Sequence, residues 1–137
     1  MNRRRGLSPS IEAVLVVPVI VLLLGVMTAG FRLWQARADL NQVAGAAARA
    51  ASQSRSGAEA RQRLHTVVES NPLPCQDPTI TSDLRGFQGP VGTDAQVTVA
   101  ISCRIEFADL AVPLIPGSTR VSATGSAPLD PYRKRQR

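Results

Sequence analysis

Hydrophobic positions along this chain change their spacing twice, and each change marks a new element. Residues 13–31, AVLVVPVIVLLLGVMTAGF, form an uncharged apolar run in which Thr28 is the one polar side chain. At about 1.5 Å of rise per residue a helix of this length crosses most of a ~30 Å hydrocarbon core, so the run predicts a membrane span. Ser8, Pro9 and Ser10 supply a helix start, since either serine can cap and proline is accepted in the first turn. Pro18 and Gly25 lie inside the span, and Pro18 predicts a mild bend. The helical pattern then outlasts the bilayer. Arg32 and Trp34 suit the interface, and Leu33, Ala36, Leu40, Val43, Ala47, Ala50 and Ser54 recur at intervals of three and four. That seam is mostly small residues, and it fits two partners equally: the domain the helix itself carries, or an identical neighbouring helix.

A break follows at Ser56 and Gly57. The spacing Ser56-x-x-Glu59 is a capping box, which predicts a second helix over 57–70 with Leu64, Val67 and Val68 on its apolar face, ended by Asn71, Pro72, Leu73 and Pro74. From Cys75 the period becomes two. Short strands are predicted at 79–81 and 119–124, with a longer one at 95–105, where Val97, Val99, Ile101 and Cys103 share one face and Thr98, Ala100 and Ser102 the other. Gly86, Gly89, Pro90 and Gly92 mark a turn between the first two, 110–117 reads as a proline-broken loop, and no periodic pattern continues after Pro128. The expected class is therefore α+β: a long N-terminal helix with one transmembrane span, a short second helix and a small antiparallel sheet. By segment, this gives a basic leader at 1–6, the span at 7–31, its continuation outside at 32–55, the second helix at 56–71, a β domain at 72–127 and a basic tail at 128–137.

Composition sharpens this in two respects. Of 137 residues, only Trp34, Phe87, Phe107 and Tyr132 are aromatic beyond the span, so the outer domain has a thin core. Its cysteines, Cys75 and Cys103, both fall in the segment predicted to be exported, where a disulfide forms and lasts; the alternative is two buried free thiols. Closing a loop of that size contributes roughly 3–4 kcal/mol, a large share for such a core. The net charge of +6 does not point to nucleic acid, because Arg3, Arg4 and Arg5 sit at one end and Arg133, Lys134, Arg135 and Arg137 at the other. The leader arginines instead orient the helix, with the N-terminus cytoplasmic and the remainder outside.

Catalytic chemistry has few residues to draw on. His65 is the one histidine, placed beside Arg61 and Arg63 with neither cysteine near it in sequence; no metal-ligand spacing and no phosphate-binding glycine loop occur. The expectation is a non-enzyme with no cofactor, no metal and no small-molecule substrate. Glu12 stands out for a different reason. An acid at the mouth of a span calls for a partner such as a free amine, unless it sits at headgroup depth in contact with water.

The order Arg3-Arg4-Arg5-Gly6, then Glu12-Ala13-Val14-Leu15-Val16-Val17-Pro18, resembles the leader and helix start of TadE/TadG-like proteins, the pilin-like components of bacterial tight-adherence (Flp, type IVc) pilus systems. The alanine-rich stretch at 44–52, VTVAISCRI, Asp109-Leu110, Pro116-Gly117-Ser118 and Asp130-Pro131-Tyr132-Arg133 are similar to short pieces of the same family. The resemblance implies a prepilin peptidase that cuts between Gly6 and Leu7, lowering the net side-chain charge from +6 to +3 by removing three arginines. It also implies that Glu12 pairs with the new amine of its own or a neighbouring subunit, and that the partners are pilus assembly machinery and other pilin-like subunits. The site would be the bacterial inner membrane or a surface filament. Glu12 stands sixth after Gly6, where the family glutamate is usually fifth, so a cut after Leu7 or no cut remains open. The alternatives are an uncleaved single-span binding protein that does not polymerise, and a secretory signal removed near Ala29.

Overall fold

The helical period that starts ahead of the apolar run persists for 45 residues: α1 spans Ser8–Ser52 and continues through Pro18. The computed structural model describes residues 8–90, 92–108 and 117–132, with side chains from Glu12 onward. α1 ends where Ser52 turns its hydroxyl onto the Arg49 carbonyl and the Ser54 N–H reaches back to Ala51. The chain reverses through Ser56 into α2, Gly57–Ser70. The capping box forms with a shifted return bond. Ser56 Oγ accepts from the Glu59 N–H at 3.3 Å, while the Glu59 carboxylate accepts from the N–H of Arg55, one residue before the cap. At the other end Asn71 closes α2 by donating its side-chain amide to the Val67 carbonyl at 2.7 Å.

The strands are β1, Gln76–Asp83, β2, Gln96–Glu106, and β3, Ser118–Pro128, forming one antiparallel sheet in the order β1-β2-β3. Two of them are longer than their periodicity predicts. In β1 a bulge lies between Gln76 and Thr79, where Asp77 takes φ of 49° and Pro78 follows, so the pairing begins in residues that do not read as strand. In β3 the ladder carries on past Thr124 through Gly125, Ser126 and Ala127 to Pro128 opposite Gln96. Of these, Gly125 and Ala127 lie on the buried face, and the closeness of α1 to Gly125 requires a residue that small. The predicted glycine turn contains a short 3-10 helix, Arg85–Gln88, which buries Phe87.

Alternation along β2 holds as predicted, with Val97, Val99, Ile101, Cys103 and Ile105 buried, matched across β3 by Val121, Ala123, Gly125 and Ala127. This face meets α1, which packs on β3, β2 and α2. The opposite face of the sheet is covered by no described element and carries Thr79, Thr81, Thr98, Ser102, Arg104, Arg120, Ser122, Thr124 and Ser126. The patternless segment after Pro128 is tied at its start: Leu129 is buried, its N–H donates to Ala95 at 2.8 Å, and the Pro131 carbonyl accepts from Gly92.

Candidate functional site

α1 is one helix with two environments. From Val14 to Phe31 every large apolar side chain is exposed, between 43% and 74% of its surface, a continuous apolar surface of a kind that is rare on soluble monomers. This helix is long and apolar enough to span a membrane. Its one polar side chain is satisfied internally, since Thr28 Oγ1 donates to the Leu24 carbonyl at 2.7 Å. Trp34, 65% exposed, stacks at a tilt on Phe31 with ring centroids 6.1 Å apart, an aromatic pair suited to the interface. Glu12 is exposed near the opposite end of the run. The helical rise puts it ~33 Å from Trp34 along the axis, so a bilayer with Trp34 at one interface has Glu12 at the other, at headgroup depth.

Beyond Trp34 the same helix becomes the spine of the domain formed by the sheet and α2. Ala36, Leu40, Val43 and Ala47 of the predicted seam are buried against this chain's own sheet and second helix, while Leu33 and Ala50 are half-buried. The seam is wider than the three-and-four spacing predicts: Ala44, Ala48 and Ala51 are also fully buried. The reason is that α1 is covered on two sides, by the sheet and by α2, and Ala50 borders a shallow groove against Glu59, Gln62, Arg63, Thr66 and Val67 of the latter. Ser54, which closes the seam, is buried with its hydroxyl unpaired among the described residues.

One contact sets the distance between spine and sheet. A Cβ placed on Gly125 would overlap the Ala44 carbonyl and the Gly45 nitrogen, so β3 touches α1 main chain to main chain. A glycine inside an alternating strand is a sequence mark of such an approach, though the sequence does not say to what.

Cys75 and Cys103 are joined, with Cα atoms 5.8 Å apart, tying the linker after α2 to the central strand. Near the other end of β1, Asp83 takes both the side-chain guanidinium and the main-chain N–H of Arg85, which holds its carboxyl down to about 2. Glu59 is also lowered, first by the Arg55 N–H and then by Arg63, 2.8 Å away. Both acids are half-buried parts of local structure. Among the described residues no three His, Cys, Asp or Glu side chains gather in a way that could hold a metal. Gly6 and Leu7, the predicted processing bond, lie outside the described residues, as do the leader arginines and the basic terminal cluster.

No protein family, no curated protein and no solved structure matches this chain.

Proposed function

We propose that the protein is a pilin-like, membrane-anchored component of a tight-adherence pilus assembly or secretion system, acting by position and contact and not by catalysis. The observation that carries this reading is the continuity of α1. One helix of 45 residues is both the apolar span and the spine on which a disulfide-tied antiparallel sheet is folded. A simple anchor needs only a flexible link between span and domain. An uninterrupted helix instead fixes the height and orientation of the domain over the membrane, which is what a subunit that must dock with others requires. The leader motif Arg3-Arg4-Arg5-Gly6 and the acid Glu12 support the same reading, with prepilin peptidase as the processing partner and neighbouring pilin-like subunits as the binding partners.

Mass spectrometry of the N-terminal peptide, on protein purified from its native membrane, tests this directly. Leu7 or Ser8 as the first residue supports prepilin processing. Met1 or Asn2 would favour the uncut anchored binder, and a start near Gly30 would end the case for assembly through the span. If Glu12 pairs with a subunit amine, Glu12→Ala leaves the outer domain folded and lowers recovery of the chain with the assembly machinery by about tenfold, about 1.4 kcal/mol of pairing; unchanged recovery counts against that role.

A further inference from the structure

The two edges of the sheet are built differently. β1 is guarded: its bulge at Asp77 breaks the line of main-chain groups, and Pro78 has no N–H to offer. Among the described residues β3 has no such device. It is regular over 11 residues, with proline only at its last position, and the pairs from Gln96–Pro128 to Glu106–Ser118 run without a shift.

The phase of the ladder tells which groups of β3 point away from β2. At its ends the Leu129 N–H donates to Ala95 and the Phe107 N–H donates to Gly117. Counting inward by twos, Thr119, Val121, Ala123, Gly125 and Ala127 bond to β2, so the main-chain groups of Arg120, Ser122, Thr124 and Ser126 point away from it. These four residues are exposed. α2 starts on the other side of the sheet: its first residues border a cleft with Ser82, Asp83 and the 3-10 helix, beside β1.

At one end of that edge the side chains carry an unresolved conflict. Arg104 and Arg120 lie directly opposite each other on the open face, at a position where the two strands do not exchange hydrogen bonds and the side chains stand closest. Like charges so placed are destabilising. Among the described residues neither guanidinium has an ion pair, although Glu106 is on the same face. A pair of exposed, unneutralised arginines beside an open row of N–H and C=O groups matches an extended segment that carries a carboxylate.

We propose that the free edge of β3 accepts an extended acidic segment of another protein as a fourth strand, with a carboxylate of that segment set against Arg120 and Arg104. A second copy of this chain is a poor occupant. Antiparallel pairing of two β3 edges has its two-fold axis normal to the sheet, which reverses the direction of α1 in the plane and sends the two spans opposite ways. Continuation onto a neighbour's β1 meets the bulge and Pro78. The proposal needs only the outer domain and holds whether or not the leader is cut.

The test uses the full chain in lipid nanodiscs with two capped ten-residue probes of alternating Thr and Val, one with a central Glu and its twin with a central Lys. The Glu probe is expected to slow hydrogen exchange of the Ser122, Thr124 and Ser126 amides by more than about tenfold and to bind at least about tenfold more tightly than its twin. Joint Arg104→Glu and Arg120→Glu substitution reverses that preference, and Ser122→Pro removes the protection while the Val121 and Ala123 amides stay protected, since the Ser122 N–H is outside the β2 ladder. No protection at the three amides, equal affinity of the two probes on the unmodified chain, or protection that rises with protein concentration in the absence of probe would each overturn it.

Discussion

Two glycines that nearly touch make opposite demands. Gly125 has the Ala44 carbonyl where its Cβ would stand, whereas a Cβ on Gly45, one residue along α1, meets nothing within 4 Å. Gly125→Ala must push strand and helix apart, and forced overpacking costs roughly 1–3 kcal/mol. Gly45→Ala fills open space in a helix and gains about 0.5–1 kcal/mol. Urea unfolding of the two variants should therefore shift in opposite directions; a neutral Gly125→Ala would mean that α1 and β3 are further apart than described. Asp83 offers a second check at this scale. Its carboxyl, lowered to about 2 by Arg85, contributes stability above the ordinary carboxylate value of 3.8 and loses it as pH falls through about 2. An NMR titration should find that low midpoint, and Arg85→Ala should return it toward 3.8. The acid keeps 43% of its side chain in water, so screening makes the effect on overall stability small. Neither feature was legible beforehand. A glycine at position 125 signals a close approach, but α1 as the neighbour depends on pairing between residues 80 apart in the chain.

The elements themselves were more legible than their lengths. Both helices follow from local rules, the 3.6-residue period for α1 and the Ser56–Glu59 capping box for α2, and the alternation of Val97, Val99, Ile101 and Cys103 gives the buried face of β2 directly. β1 and β3 run past their predicted ends because sheet pairing, not local propensity, extends them: Gln76 pairs with Arg104 across a bulge, and Gly125 and Ala127 are held beneath α1. The buried stripe on α1 is wider than its period predicts, since period alone cannot reveal that the helix is covered from two sides. The bridge between Cys75 and Cys103 closes 28 residues of sequence, enclosing all of β1. Loop-closure entropy assigns it roughly 3–4 kcal/mol. Joint Cys75→Ala and Cys103→Ala substitution should lower the urea midpoint accordingly and leave the helical circular dichroism of α1 in lipid largely in place. An unchanged midpoint would show that the thin core needs no such tie.

At the scale of the whole molecule, one helix joins the apolar run to the sheet, so in a bilayer spanned by that run the depth of the run would set the height of the domain. Leu33 is already half-buried against the rest of the chain and Ala36 is buried, so no flexible spacer separates the apolar run from the folded domain. Trp34 lies between the two environments and is the one tryptophan of the chain, so its fluorescence reports this boundary without ambiguity. In vesicles carrying quenchers at defined depths, Trp34 should be quenched most strongly by groups near the headgroups and weakly by groups at the bilayer centre. A shift of the apolar run by one turn moves the indole by about 5.4 Å, within reach of the method. Insertion of two leucines after Val26 should lengthen the span by about 3 Å and rotate the outer domain by about 200° relative to the lipid-facing side of the helix, with Trp34 held at the interface by tilt. If the protein works by presenting its domain at a fixed orientation, this insertion abolishes its recovery with partner subunits while leaving the disulfide-tied domain folded. Recovery at the level of the unmodified chain would show that α1 serves only as an anchor, and would favour the non-polymerising reading.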